Sequence, residues 1–259
     1  MKKTISSLTV LAAMLAAPAI AETPRVNMWK EIYKTIDLGP HKTPNEKVHI
    51  ECHFDLITAQ YTRYGAGTEL KLNKAPNRKR CEFAIQDVFE RDASGAIKEF
   101  TLSWQFSTND NFAHFQQWMS YFQIHSVPDS GESWRCPIMA LESVSGALRM
   151  YNRWDESPIS TTKNGTCGNA GNSIKYRKLF EHPYESKIWN NVEISGRLHY
   201  EGEPCLTVKL NDNVVSNVCG PNTFNDKKVP YIKFGVYKPT TWESDEEIEL
   251  YIRNIKFRT

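Results

Sequence analysis

The sequence has no Cys-x-x-Cys pair and no histidine-rich tract, which argues against a zinc site. It has no internal repeat, no low-complexity tract and no composition shift that would mark a second domain. After the N-terminus no stretch is apolar enough to span a bilayer, so no membrane partner is expected. Charge of one sign is also lacking. Of 32 basic residues, Lys2 and Lys3 lie in the leader, which leaves 30 against 30 acidic ones. A chain near neutrality gives no global argument for nucleic acid or anionic lipid, so any anion site must be a local patch. Convincing helical periodicity is scarce. One short candidate runs from Asn111 to Met119, with Phe112, Phe115, Gln116 and Met119 at helical spacing.

The leader itself is informative. Met1-Lys2-Lys3 is a short basic region, Leu8 to Ala17 is apolar, and Ala19-Ile20-Ala21 is a small-x-small cleavage site. That pattern predicts a secretory signal peptide over residues 1–21, followed by one domain over 22–259 in the periplasm or the medium. Residues 22 to about 45 read as a loose leading segment. Six cysteines follow the leader: Cys52, Cys81, Cys136, Cys167, Cys205 and Cys219. An even number in an oxidising compartment predicts disulfides. Asn211-Asp212-Asn213 makes a turn between two apolar-alternating runs. With Asp212 as its centre, Cys205 and Cys219 lie seven residues to either side, which predicts a cross-strand bridge; a bulge at the turn would shift the register by one. Cys52–Cys81 and Cys136–Cys167 are then the simplest remaining pairs.

What the chain does have is strand periodicity. Phe100, Leu102, Trp104 and Phe106 alternate with polar neighbours, as do Leu206, Val208 and Leu210, and again Ile248, Leu250 and Ile252. Many short strands joined by regular turns predict an all-β sandwich or jelly roll, whose concave outer face can hold an extended polymer.

Three segments combine an apolar face with a reactive one. In Arg78 to Gln86, Cys81, Phe83 and Ile85 alternate with Arg78, Arg80, Glu82 and Gln86. Two arginines and a carboxylate on one face can bind a sugar carboxylate, with Glu82 orienting an arginine; a solvated strand face would look the same. In Tyr121 to His125, Gln123 and His125 share a side, so an amide donor stands beside a proton acceptor. In Pro230 to Pro239, Tyr231, Lys233, Gly235 and Tyr237 share a side, and Gly235 leaves a gap for a ligand.

Gln123-Ile124-His125, then Tyr231-Ile232-Lys233-Phe234-Gly235-Val236-Tyr237, with an Arg-x-Glu strand upstream, resembles the jelly-roll polysaccharide lyases. The likeness runs from about Arg78 to the C-terminus. It implies a concanavalin-like β-jelly roll, an anionic polysaccharide as substrate and β-elimination next to a uronate. Gln123 and Arg80 would neutralise the uronate carboxylate, His125 or Tyr237 would remove the C-5 proton, and Tyr237 would protonate the leaving oxygen. Lys233, Tyr231, Arg78 and Glu82 would bind substrate. Alginate lyases of this type end the first motif with an arginine where this chain has Ala84, and they carry alanine where it has Phe234. The Lys-Phe-Gly-Val-Tyr form resembles the glucuronan lyase and heparin lyase I branch. The chemistry needs no organic cofactor; a structural calcium could brace loops, as in some relatives, and a monomer is expected. The rival readings are a non-catalytic, lectin-like jelly roll and a glycoside hydrolase. Hydrolysis needs two carboxylates, and these faces offer only Glu82.

Overall fold

The computed structural model describes residues 28–40, 48–52, 57–61, 68–74, 79–109, 116–162, 171–238 and 248–259. One short helix, α1 (Met28–Thr35), precedes a series of strands. In chain order these are β1 (Ile36–Asp37), β2 (Val48–Glu51), β3 (Ile57–Tyr61), β4 (Thr68–Lys74), β5 (Arg80–Ile85), β6 (Ile97–Thr108), β7 (Met119–His125) and β8 (Met139–Val144). There follow β9 (Ala147–Trp154), β10 (Lys175–Pro183), β11 (Asn190–Leu198), β12 (Cys205–Leu210), β13 (Asn213–Cys219), β14 (Tyr231–Tyr237) and β15 (Ile248–Arg258).

The strands form two sheets. One has the order β13-β12-β11-β6-β15-β4-β3, with β1 added in parallel to β15; the other has the order β10-β9-β8-β7-β14-β5-β2. Apart from β1 all the pairings are antiparallel, as the alternating sequences require. The sheets face each other across a continuous apolar core. Phe100, Leu102, Trp104 and Phe106 of β6 point into it at every second position. The Trp104 ring stacks on Phe122 of β7 at 4.3 Å and meets Phe234 of β14 edge-on at 5.4 Å, which locks the first sheet under the strands that carry the site.

Several sequence expectations change. The leading segment is not loose throughout: Ile32, Thr35 and Ile36 are buried at helical spacing, and α1 leads into β1, which pairs with β15. At eight residues the helix is too short for periodicity to announce it. The helix expected from Asn111 to Met119 is absent over its described part, 116–119, where Met119 already begins β7; Asn111 to Phe115 lie outside the described residues. Ile124 of β7 points into the core as expected, but a bulge between Ser120 and Phe122 turns both Tyr121 and Phe122 inward.

The β12–β13 hairpin reaches its register by two compensating offsets. The turn is Asn211-Asp212, two residues that both have positive φ, so its centre lies half a residue before Asp212. A bulge between Val208 and Lys209, set against Val214 and Ser216, restores that shift. Cys205 therefore stands opposite Cys219 and is bonded to it. The hairpin forms the edge of the sheet that lacks β14, so this bridge does not brace the Tyr231-to-Tyr237 strand by lying beside it. Cys52 is bonded to Cys81, which extends the β2–β5 ladder by one position past Glu51 and Glu82. Cys136 is also disulfide-bonded, while Cys167 lies outside the described residues.

Candidate active site

The second sheet carries a cleft of about 870 Å³ on the face away from the core. Its floor follows from pairing. Tyr231 lies opposite His125, and Lys233 lies between Gln123 and Ala84. Tyr237 lies between Arg80 and Ser120. Three segments distant in sequence thus put their polar faces side by side. Arg78 lies outside the described residues.

The polar face is less open than alternation suggests. Glu82 is 2 % exposed, and Gln123 and Lys233 are each 4 % exposed. Buried polar groups need partners, and these have them. The Gln123 amide Nε2 donates to Glu82 Oε1 at 2.7 Å. Lys233 Nζ lies 3.0 Å from Glu82 Oε2 and 3.0 Å from Glu51 Oε2. Arg80 hydrogen-bonds Glu51 and lies 3.6 Å from Glu82. Glu82 therefore sits at the bottom of the cleft and orients Gln123 and Lys233. Burial raises the Glu82 pKa, against the pull of Lys233 and Arg80. Burial also opposes ionisation of Glu51, but Lys233 and Arg80 outweigh it and hold that carboxyl below its usual range.

His125 is half-buried at one end of the floor. Its ring stacks on Tyr231 at 5.4 Å and meets the edge of Trp134 at 5.9 Å. Nδ1 lies 2.9 Å from the Ser126 carbonyl oxygen, which can only accept, so Nδ1 carries the proton. In the neutral ring Nε2 then holds the lone pair. Burial, aided by Lys233, lowers the His125 pKa to about 4, so the ring is neutral at neutral pH. Tyr231 is pushed up to about 12 by burial and by Glu51 and Glu82, and keeps its proton.

Tyr237 stands six residues along β14 from Tyr231, up to about 20 Å by strand rise. His125 and Tyr237 thus flank the floor from opposite ends, with Lys233 and Gln123 between them. The Tyr237 ring packs between Trp118, at 5.5 Å, and the Arg80 guanidinium, at 4.7 Å. Gly235 does not open a gap for ligand. Its φ is +144°, and a Cβ there would meet the Cys81 carbonyl oxygen at 2.2 Å, so glycine is required by the neighbouring backbone.

Sequence reasoning missed several lining residues: Glu51, Trp118, Trp134, Glu142, Arg149, Tyr151 and Arg153. Arg149-x-Tyr151-x-Arg153, alternating with the apolar Leu148 and Met150, carries the same two-faced signal as the three segments above. Glu51 had a weaker one, its place next to Cys52. Trp134, 64 % exposed, sits on a loop anchored by buried Arg135, which pairs with Glu132 at 2.9 Å and with Asp226. With Glu51 and Glu142 also in the cleft, Glu82 is not its only carboxylate, and the argument against hydrolysis from carboxylate number fails.

Another observation decides the class. A family model described as polysaccharide lyase matches residues 43–256. The chain belongs to the polysaccharide lyase family. No curated protein matches the chain in sequence. Among solved structures, the lyase is similar to the endo-β-1,4-glucuronan lyase of the fungus Trichoderma reesei, with 12 % identity, a TM-score of 0.61, and 82 % of this chain and 90 % of that one covered. It is also similar to the botulinum neurotoxin serotype C1 binding domain, with 11 % identity, a TM-score of 0.51, and 82 % and 43 % covered. These likenesses show the β-jelly-roll fold. Since the same fold carries binding domains, it does not by itself separate lyase from lectin; the family match does. Among the described residues no group of three or more His, Cys, Asp or Glu side chains could hold a metal ion, and no described helix is long and apolar enough to cross a membrane.

Proposed function

We propose that this lyase cleaves a uronate-containing polysaccharide by β-elimination, outside the cytoplasm after removal of residues 1–21. The observation that carries the reading is the floor itself: a neutral imidazole with an unprotonated Nε2 shares one cleft with Arg80, Lys233, Gln123 and Tyr237. A uronate C-5 proton is weakly acidic until its carboxylate is neutralised, and the preorganised cations and amide donor of the cleft floor supply that neutralisation. The substrate carboxylate binds Arg80 beside Glu51, with Lys233 beneath it and the second N–H of Gln123 available to the same oxygen. His125 Nε2 accepts the C-5 proton. The electron pair forms the C4–C5 double bond as the C4–O bond breaks, and the Tyr237 hydroxyl gives its proton to the departing oxygen. Imidazolium and tyrosinate then exchange protons with solvent, and the enzyme is regenerated. For both to act on adjacent carbons of one sugar ring, the His125 and Tyr237 side chains must converge over Lys233 and Gln123 from the two ends of the floor.

The glucuronan lyase of similar fold makes glucuronan the first polymer to try. The test is a panel of glucuronan, alginate and heparan-type polymers, followed by the ultraviolet absorbance of an unsaturated uronate. New reducing ends without that absorbance would mean hydrolysis and would overturn the reading.

A further inference from the structure

The proposed chemistry uses β14, β7, β5 and β2. The cleft continues over β8, β9 and β10, where the proposed reaction has no role for the side chains. On β9, Arg149, Tyr151 and Arg153 alternate with buried Leu148, Met150 and Asn152, so all three face the cleft. The ladder ties them to the catalytic rows. Gln123 lies opposite Ala140, which lies opposite Tyr151; Ser120 lies opposite Glu142, which lies opposite Arg149. β9 is two strands from β7, about 10 Å, and the small side chain of Ala140 keeps the floor low between them.

The group is charged and only loosely neutralised. Glu142 is buried beneath it, with Oε2 at 3.3 Å from both Nε and Nη2 of Arg149 and Oε1 at 3.8 Å from Arg153 Nη2. Arg153 also donates to the Pro137 carbonyl at a long 3.4 Å. One carboxylate thus serves two guanidinium groups, which have ten N–H donors between them. The guanidinium carbons lie over the Tyr151 ring at 5.1 and 5.4 Å, which holds both planes along the cleft wall. Tyr176 of β10 meets Tyr151 edge-on at 6.1 Å and is 56 % exposed. Burial also weakens the hold of Arg153 on its proton, as expected of a cation short of counter-charge.

We propose that Arg149 and Arg153 form a second carboxylate-binding subsite, walled by Tyr151 and Tyr176, which holds a further uronate of the same polymer. The chain then crosses the strands from β14 towards β10, and Glu142 is a positioning residue that keeps the two forks in place. This rests on the polyuronate reading above, and the experiment separates the two. Calorimetric titration of the His125→Ala protein would use a β-1,4-glucuronate hexasaccharide and cellohexaose, its neutral counterpart. In that background Arg149→Gln should weaken binding of the acidic hexamer by about tenfold or more, the worth of a charge-assisted hydrogen bond. Arg149→Lys should recover part of the loss and Arg153→Lys should lose less than Arg149→Gln, while cellohexaose affinity should change by less than about twofold in all three. The salt dependence of the acidic hexamer should become shallower in Arg149→Gln. Binding of the acidic hexamer within about twofold of the background protein, in a folded Arg149→Gln variant, would overturn the subsite while leaving the polyuronate reading intact. A background protein that binds cellohexaose as well as the acidic hexamer would instead overturn the polyuronate reading, and the subsite with it.

Discussion

The two described disulfides should have similar worth for stability and unequal worth for activity. Cys52 and Cys81 are 29 residues apart, and Cys205 and Cys219 are 14 apart. Loop-closure entropy then assigns the first about 3.6 kcal/mol and the second about 3 kcal/mol at 25 °C. Each is a large share of the roughly 5–15 kcal/mol by which a domain is stable, yet each loss is survivable. Their surroundings differ. Cys52 follows Glu51 on β2, a strand of four residues that, among the described residues, pairs with β5 alone. Without the bridge, nothing covalent holds Glu51 against Arg80 and Lys233, and the floor loses the carboxylate that sets both cations. Cys205 and Cys219 clamp an edge hairpin of the other sheet. Cys52→Ala/Cys81→Ala and Cys205→Ala/Cys219→Ala should therefore both lower the urea midpoint. Only the first should lower kcat/KM, by about tenfold or more, since displacement of about 1 Å in an active site can cost about a hundredfold. The assays are equilibrium unfolding and initial rates of unsaturated-product formation under conditions where each variant is folded. Parental kcat/KM in Cys52→Ala/Cys81→Ala, or an equal loss in both variants, would refute the reasoning.

His125→Ala should lower kcat by about a hundred- to ten-thousandfold, the usual worth of a general base, as measured on whichever polymer the parent cleaves. Because the ring must be neutral to accept a proton and its pKa is lowered to about 4, kcat/KM should fall as pH drops through about 4; a midpoint near 6.5, the solvated value, would remove burial from the account. Tyr237→Phe should nearly abolish turnover while Tyr231→Phe leaves a measurable rate, because the Tyr231 hydroxyl, pushed up to about 12, is placed for stacking on His125; the reverse order in steady-state rates would make Tyr231 the acid. Arg80→Lys should raise KM and lower kcat, because an ammonium cannot span both Glu51 and a substrate carboxylate as a planar fork does; rates equal to the parent would leave Arg80 as a structural ion pair.

Period-2 alternation by itself determined the sandwich, because a strand with one buried face must repeat its apolar residues at every second position; β6, β12 and the start of β15 could be read directly. The same periodicity put Gln123 with His125, and Lys233 with Tyr237, on common faces, since residues two or four apart on a regular strand point the same way. It could not say which strands adjoin. Pairing of β14 with both β7 and β5 is non-local, and it alone brought His125, Lys233 and Arg80 together. Burial was equally hidden: the polar face of an isolated strand looks solvated, yet Glu82, Gln123 and Lys233 lie under the cleft, where one carboxylate satisfies both an amide and an ammonium. Glu51 and the Arg149–Arg153 pair joined the site only through the ladder that places β2 and β9 beside it. Gly235 shows the same division. The sequence marked a missing side chain in a reactive strand, but only the packing of β5 against it revealed that the space was already filled by the Cys81 backbone.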